Sequence, residues 1–313
     1  MLFQGCGTAM VTPFRKDGSL DEPALRSLVK RQIEEGINFL VPCGTSGESP
    51  TLTHQEHLRV VEITLDEAKG RVPVLAGAGG YNTAEVIALA RELAEIGADG
   101  ILSVTPYYNK PTQEGLFQHY KAIAEGTSLP IVVYSVQGRT GVNVEPATVR
   151  RLAAIENIVG IKEASGNISQ MAAILNAVPD SFNVLSGDDA ITVPLIALGG
   201  RGVISVVSNE VPADMARLTR LALNGDFASA REIHRRVHPL MEVNFVESNP
   251  IPVKAAMAQM GLLEPVWRLP LVAPKAESEA RIHAVLESLG LTGSAALPRE
   301  AARLSHATAH AAA

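Results

Sequence analysis

Eight short apolar runs, rich in β-branched residues, recur through the first two thirds of the sequence. Each run is almost continuously hydrophobic, which is typical of parallel strands buried on both faces. The runs occupy residues 5–11, 38–42, 72–76, 100–104, 131–134, 159–162, 183–185 and 202–206. Amphipathic segments of helical period lie between them, so the pattern predicts a repeated strand–helix unit.

Capping signals mark several of the predicted helices. Thr53 is followed three residues later by Glu56, which is the spacing of a capping box. Thr83 and Asp188 stand just before apolar periodic segments and are predicted N-caps. These signals place helices directly after the second, third and seventh strands.

Eight consecutive units in about 225 residues predict an α/β fold, a (β/α)8 TIM barrel. A doubly wound open sheet is the alternative, because a sequence does not report closure of the sheet. Beyond residue 206 the pattern becomes purely helical and exceeds what the eighth unit needs. We therefore predict a barrel over residues 1–224, a small C-terminal helical extension over 225–292, and a disordered tail over 293–313.

Composition narrows the classes of protein. Hydrophobic residues make up 46% of the chain and charged residues 19%, which suits a large core. The formal net charge of −6 gives no basic footprint for nucleic acid, and no run is apolar and long enough for a membrane helix. Cys6 and Cys43 sit in apolar runs and are predicted to be small buried hydrophobes. We expect a cytoplasmic protein without a signal peptide.

The residues that follow the predicted strands carry the candidate chemistry, because active sites of α/β barrels lie at the carboxyl ends of the strands. Lys162 ends the buried sixth run. An amine held there tends to lose its proton, and the neutral form is a nucleophile that forms an imine with a ketone. The alternative is a rim lysine paired with Glu163 or an aspartate.

Hydroxyl and guanidinium groups end the neighbouring strands. Tyr134 and Tyr108 follow two different strands, and Thr45 is placed to bridge their hydroxyls, a set suited to proton transfer beside an imine. Arg139 offers a planar fork for a carboxylate, although alone it is equally a surface ion pair. His54 and His57 lack a third ligand at metal spacing, so no metal is expected.

Taken together, these residues resemble the dihydrodipicolinate synthase and N-acetylneuraminate lyase superfamily, and the synthase branch in particular. The resemblance covers roughly residues 1–290. Its motifs are Gly-Thr-Ser-Gly-Glu at 44–48, Thr-Pro-Tyr-Tyr-Asn at 105–109, Arg-Thr-Gly at 139–141, Gly-Ile-Lys-Glu-Ala at 160–164, Ser-Gly-Asp-Asp at 186–189 and Asn-Pro-Ile-Pro-Val-Lys at 249–254.

The resemblance implies a lyase that condenses pyruvate with L-aspartate 4-semialdehyde in lysine biosynthesis. Lys162 would form the imine with pyruvate, and no cofactor would be needed. Thr45 and Ser46 would hold the pyruvate carboxylate, with Thr45 also in a proton relay. Tyr134 would be the acid and base of that relay. Tyr108 would enter the site of a neighbouring subunit, which implies a homo-oligomer, at least a dimer and commonly a tetramer.

The remaining site residues follow from the same resemblance. Arg139 would anchor the carboxylate of the aldehyde, and the backbone at Gly187 and Ile204 would line the pyruvate pocket. A second site, for feedback by lysine, would involve Ser49, His54, His57, Glu85 and Tyr107.

One departure affects the aldehyde. Residues 135–138 read Ser-Val-Gln-Gly where the family often has Asn-Val-Pro-Ser, so we expect a looser loop before Arg139. Two other functions stay open on sequence grounds. One is a different pyruvate-type aldolase or dehydratase of the superfamily, and the other is a metabolite-binding relative without catalysis.

Overall fold

The chain folds into a closed barrel of eight parallel strands in a computed structural model that describes residues 2–292. The strands run in the spatial order β2-β1-β8-β7-β6-β5-β4-β3, and a parallel bridge between Leu40 and Val74 joins β2 to β3. The barrel prediction is confirmed over the open sheet. The strands are β1 (Gly5–Ala9), β2 (Phe39–Val41), β3 (Leu75–Gly77), β4 (Gly100–Val104), β5 (Ile131–Ser135), β6 (Ile158–Glu163), β7 (Asn183–Ser186) and β8 (Gly202–Ser205).

Helices connect the strands and extend beyond the last one. Those of the barrel are α1 (Glu22–Glu34), α2 (His54–Ala68), α3 (Thr83–Glu95), α4 (Gln113–Gly126), α5 (Gln137–Thr140), α6 (Pro146–Leu152), α7 (Ile168–Ala177), α8 (Thr192–Ala197) and α9 (Pro212–Leu223). Three more follow: α10 (Phe227–Val243), α11 (Ile251–Gln259) and α12 (Ala276–Ser288).

Alternation along each strand divides the core into two clusters. On β5, Ile131 and Val133 belong to the cluster between strands and helices, whereas Val132 and Tyr134 belong to the cluster inside the barrel. Lys162 on β6 is in register with Tyr134, and its side chain therefore points inward. The alternation of side chains along β6 therefore places the Lys162 amine inside the barrel.

The local predictions succeed at most helix starts. Thr53 and Glu56 form both hydrogen bonds of a capping box, and the Asp188 side chain caps a short 3₁₀ helix by accepting from the backbone of Ala190. The prediction of Thr83 as N-cap is wrong. Asn82 caps α3 by accepting from the Ala84 backbone, since Asn is as good a cap as Thr and stands one position earlier.

Cys6 and Cys43 are both fully buried, as predicted. Burial raises the pKa of both thiols, because a thiolate is poorly solvated in an apolar surrounding. They are therefore packing residues that stay protonated.

The helices after α9 pack onto one side of the barrel. Helix α10 lies against α9 and α12, and α11 lies against α12 and the 3₁₀ turn that follows β8. Within residues 2–292, no helix combines the length and the apolarity that crossing a membrane requires. The predicted tail, residues 293–313, lies outside the described residues.

A buried ion pair ties this extension to the loop after β2. Lys254 on α11 pairs with Glu48, and both side chains are completely buried. Burial lowers the pKa of Lys254, and the adjacent Glu48 carboxylate opposes that shift. The Phe14 ring lies 4.4 Å from the ammonium, and the Arg268 guanidinium lies 4.2 Å from the same ring.

We predict that Lys254→Met lowers the free energy of unfolding by about 3–5 kcal/mol, because Glu48 would be left as a buried charge without a partner. Denaturant titration followed by circular dichroism measures the loss. The matched control is the double variant Glu48→Gln with Lys254→Met, which removes both charges and should cost less than Lys254→Met alone. A double variant that costs as much as Lys254→Met alone, or more, would contradict this prediction.

Candidate active site

The carboxyl ends of the strands surround an inner cavity of about 150 Å³. Six of the eight residues predicted for catalysis and substrate binding line it, as expected for an α/β barrel. The polar and charged lining residues are Thr45, Ser46, Tyr134, Arg139, Lys162, Asp188 and Asn249, and the backbone of Gly187 completes the wall.

Lys162 lies at the floor of this cavity. Its side chain is 4% exposed, and its Nζ is 4.3 Å from the centre of the Tyr134 ring. Among the described residues it forms no ion pair. Glu163 points away from it on the other face of β6, where its carboxylate accepts from the side chain of Gln170. The alternative of a rim lysine paired with Glu163 is therefore not what the structure has.

A tight turn presents Thr45 and Ser46 to the cavity. Backbone hydrogen bonds from Gly47 to Gly44 and from Glu48 to Thr45 close the turn, at 3.1 and 3.2 Å. Glu48 has a φ of 54°, in the left-handed region that is strained for a residue with a side chain. The side chain of the same residue pairs with the buried Lys254 ammonium, so the turn is anchored directly after Thr45 and Ser46.

Arg139 stands at the rim on a short helix. Residues 137–140 form α5, whose backbone is closed by hydrogen bonds from Arg139 and Thr140 to the carbonyl of Val136. The Arg139 guanidinium also donates to the backbone carbonyl of Asn249 at 3.0 Å. Gly138 is therefore part of a helical turn that forms without the proline, and a looser segment before Arg139 stays a prediction.

The expected meeting of three hydroxyls does not occur within one chain. Tyr134 is 6% exposed and borders the cavity together with Thr45. Tyr108 is 90% exposed and does not line the cavity. The Tyr108 hydroxyl therefore does not reach the inner cavity of its own chain.

Of the two residues whose backbone was predicted to line the pyruvate pocket, Gly187 lines the inner cavity and Ile204 does not. Gly187 lines the cavity, and a Cβ there would lie 2.5 Å from the Cβ of Ala164 and 3.1 Å from the Cε of Lys162. Ile204 is fully buried in the cluster inside the barrel and is not among the lining residues.

The five residues predicted for lysine feedback fall into three places. Ser49 and Tyr107 line an outer cavity of about 320 Å³ that also reaches Thr45 and Tyr134. The other three residues lie elsewhere. His54 and Glu85 line a separate cavity of about 350 Å³, whereas His57 is buried with its Nε2 2.8 Å from the carbonyl of Gly77. A role in feedback stays a prediction.

His54 and His57 are directed to different partners. The imidazole of His54 lies 2.7 Å from the Glu92 carboxylate, and that of His57 contacts a carbonyl. Over residues 2–292, no group of three His, Cys, Asp or Glu side chains is arranged to hold a metal ion.

Sequence reasoning missed Asn249 and Lys254, although both lie in a motif that carried the resemblance. Asn249 lines both cavities and donates from Nδ2 to the Ser46 hydroxyl at 3.0 Å. A lysine inside the apolar run 251–258 was the available signal for a buried charge.

Comparison with known proteins identifies the family of the chain. The sequence profile of the Dihydrodipicolinate synthetase family matches residues 2–289. The chain belongs to this family.

Individual relatives match over nearly their whole length. The 4-hydroxy-tetrahydrodipicolinate synthase of Syntrophus aciditrophicus is 53% identical over 292 residues, which cover 93% of this chain and 100% of the relative. The dihydrodipicolinate synthase of Thermotoga maritima superimposes with a TM-score of 0.91 at 47% identity, covering 93% of this chain and 100% of that structure. The synthase of Acinetobacter baumannii, solved in complex with pyruvate, gives a TM-score of 0.91 at 43% identity, covering 92% and 99%.

We predict that Gly187→Ala slows formation of a pyruvate imine on Lys162 by tenfold or more. The added methyl would overlap Ala164 and crowd the lysine, and overpacking of about 1–3 kcal/mol corresponds to that factor. Borohydride trapping over time measures the rate. Gly138→Ala is the matched control, since nothing lies within 4 Å of its added Cβ, and it should trap at the wild-type rate. Equal rates for the two variants would contradict the crowding.

Proposed function

We propose that this chain is a 4-hydroxy-tetrahydrodipicolinate synthase that condenses pyruvate with L-aspartate 4-semialdehyde. The observation that carries the proposal is the buried Lys162 amine, which has no ion-pair partner among the described residues and faces a cavity lined by three hydroxyl residues and an arginine. Relatives of the same name, at about half identity, support it.

Imine formation is the first step. The neutral amine of Lys162 attacks the ketone carbon of pyruvate, a carbon–nitrogen bond forms, and water leaves. Ser46 and Thr45 hold the pyruvate carboxylate with their hydroxyls. The Tyr134 hydroxyl transfers protons at the reacting carbon, a role that its position beside Lys162 supports.

Condensation and ring closure follow. Loss of a methyl proton converts the imine into an enamine, whose carbon attacks the aldehyde carbon of the second substrate. Arg139 binds the carboxylate of that substrate with its planar fork. The substrate's own amine then attacks the imine carbon and displaces Lys162, which gives the cyclic product and restores the enzyme. The imine itself withdraws the electrons, so the proposed route needs neither metal nor cofactor.

The placement of Arg139 favours the synthase over other pyruvate-type aldolases. A loosened segment before Arg139 would support those alternatives, because it would not aim the guanidinium at a carboxylate. That segment is instead a helical turn tied to Asn249. A non-catalytic binding role has no specific observation in its favour.

We further propose that the working unit is at least a dimer, in which Tyr108 from one subunit enters the outer cavity of the other. The exposed ring of Tyr108 and the 320 Å³ outer cavity that reaches Thr45 and Tyr134 support this exchange. A tetramer stays a prediction from the family resemblance.

Trapping with borohydride in the presence of pyruvate tests the central claim. We expect a pyruvyl adduct on the peptide that contains Lys162, detected by mass spectrometry, and no adduct in Lys162→Ala. Synthase activity of the variant should fall by several orders of magnitude, because the covalent route is lost. Active protein that yields no adduct, or an adduct on another lysine, would overturn the proposal.

Subunit complementation tests the exchange of Tyr108. We expect Tyr108→Phe to lose roughly 10²–10⁴-fold in turnover, the usual contribution of a proton-transfer group. Co-refolding it with Lys162→Ala should restore about a quarter of the wild-type activity, since half of the dimers are mixed and each mixed dimer has one intact site. If the mixed sample is as inactive as its parents, Tyr108 does not act across the interface.

A further inference from the structure

The side chain of Gln170 on α7 makes three hydrogen bonds to two other segments of the chain. Its amide pairs reciprocally with that of Asn143: Nδ2 of Asn143 donates to Oε1 at 2.7 Å, and Nε2 of Gln170 donates to Oδ1 at 3.0 Å. The same Nε2 also donates to the Glu163 carboxylate at 2.8 Å. An amide nitrogen carries two protons, so both donations are made at once. Gln170 therefore joins Glu163 to Asn143.

Glu163 directly follows Lys162 at the end of β6. Its side chain is fully buried on the face of the strand opposite to that of Lys162. Burial raises the pKa of the Glu163 carboxyl, and hydrogen bonds from Ser165 and Gln170 oppose that shift. The Glu163 carbonyl also accepts from the backbone of Gly187 at 2.7 Å, and Gly187 lines the inner cavity. The end of β6 is thus fixed on both sides of the residue that Gln170 contacts.

Asn143 lies just beyond the helix that carries Arg139. Helix α5 ends at Thr140, and Gly141 follows it with a φ of 68°. A short connection therefore separates the paired amide of Asn143 from the Arg139 guanidinium. A displacement of Asn143 is passed along this connection to the group at the rim of the cavity.

Gln113 on α4 is a second contact of the same segment. Its Nε2 donates to the Asn143 carbonyl at 2.8 Å. Its Oε1 accepts from the backbone of Glu145 and from the hydroxyl of Thr148. Among the hydrogen bonds of residues 2–292, those of Gln113 join the segment to α4 and α6, whereas those of Gln170 join it to β6.

We infer that Gln170 is a positioning residue for the aldehyde substrate. Through Glu163 and Asn143, it connects the end of β6 with the segment that follows α5. The Arg139 guanidinium is thereby held at a set distance from the Lys162 amine. The inference rests on the proposed function, in which the first group binds the carboxylate of the aldehyde and the second carries pyruvate. Since the aldehyde carbon must meet the enamine carbon, a misplacement of about 1 Å costs about 100-fold in rate.

Gln170→Leu tests the inference, because leucine is similar in size and makes none of the three hydrogen bonds. At saturating pyruvate, we expect kcat/KM for L-aspartate 4-semialdehyde to fall by about 10- to 100-fold. Borohydride trapping of pyruvate on Lys162 should keep its rate within about twofold, because imine formation does not use Arg139. Gln118→Leu is the matched control. Gln118 is an exposed glutamine on α4 whose amide donates to Glu114 of the same helix, and its substitution should leave both rates unchanged.

A double-mutant cycle with Arg139→Ala separates positioning from a general structural effect. If Gln170 acts through Arg139, Gln170→Leu should lower kcat/KM by less than about threefold in the Arg139→Ala protein, since no guanidinium is left to position. The full loss in both backgrounds would mean that the two residues act independently and would overturn the inference. Equal slowing of imine formation and of the condensation by Gln170→Leu would overturn it as well.

Exchanging the donor and the acceptor provides a rescue. Gln170→Glu places a second carboxylate beside Glu163 and should lower kcat/KM for the aldehyde as Gln170→Leu does. Adding Glu163→Gln restores an amide that faces a carboxylate, with the two roles reversed. The double variant should therefore recover most of the lost kcat/KM. Absence of any recovery would contradict a link between these two positions.

An unchanged kcat/KM in Gln170→Leu would overturn the inference, and a loss in Gln113→Leu alone would assign the positioning to α4 instead. Failure of the proposed function is distinguishable from all these results, because the wild-type protein would then give no cyclic product from the aldehyde.

Discussion

The ion pair between Glu48 and Lys254 is the contact on which the loop after β2 depends. Two opposite charges withdrawn from water are stable only with close geometry and further partners. The ring of Phe14 and the Arg268 backbone, 3.4 Å from the Glu48 carboxylate, contribute to that surrounding. The pair holds a left-handed residue directly beside the two hydroxyl residues that face the cavity. The desolvation of these two charges is unfavourable, and the turn beside the cavity is what the pair stabilises.

Helix α11 and the residue before it contact both the loop after β2 and Arg139 on α5. Asn249, just before the helix, contacts Ser46 through its side chain and Arg139 through its backbone. Lys254, one turn further, contacts Glu48. The C-terminal extension is therefore part of the site, even though every strand of the barrel precedes it in the chain. A rigid frame of this kind keeps reacting groups within the small tolerance that catalysis requires.

Much of the fold followed from the sequence because its signals are periodic. Continuous apolar runs predicted the strands, and the end of the sixth run placed Lys162 at a strand end. Its inward direction beside Tyr134 came from the register of β5 with β6. Single-residue choices were less accessible. Asn82 and Thr83 are both good caps, and local propensity does not separate neighbours. Gln137 and Gly138, where the family often has Pro-Ser, suggested a looser loop, and the structure has a helical turn over these residues that the sequence pattern did not indicate. The partnership of Glu48 with Lys254 depends on three-dimensional proximity, which periodicity does not encode.

The separation of that pair along the chain has a consequence for biosynthesis. Glu48 and Lys254 are 206 positions apart. The strands of the barrel leave the ribosome well before the lysine does, and during that interval the Glu48 carboxylate has no internal counter-ion. The contact can therefore form only after Lys254 has been synthesised, and a nascent chain stopped anywhere in the barrel lacks it.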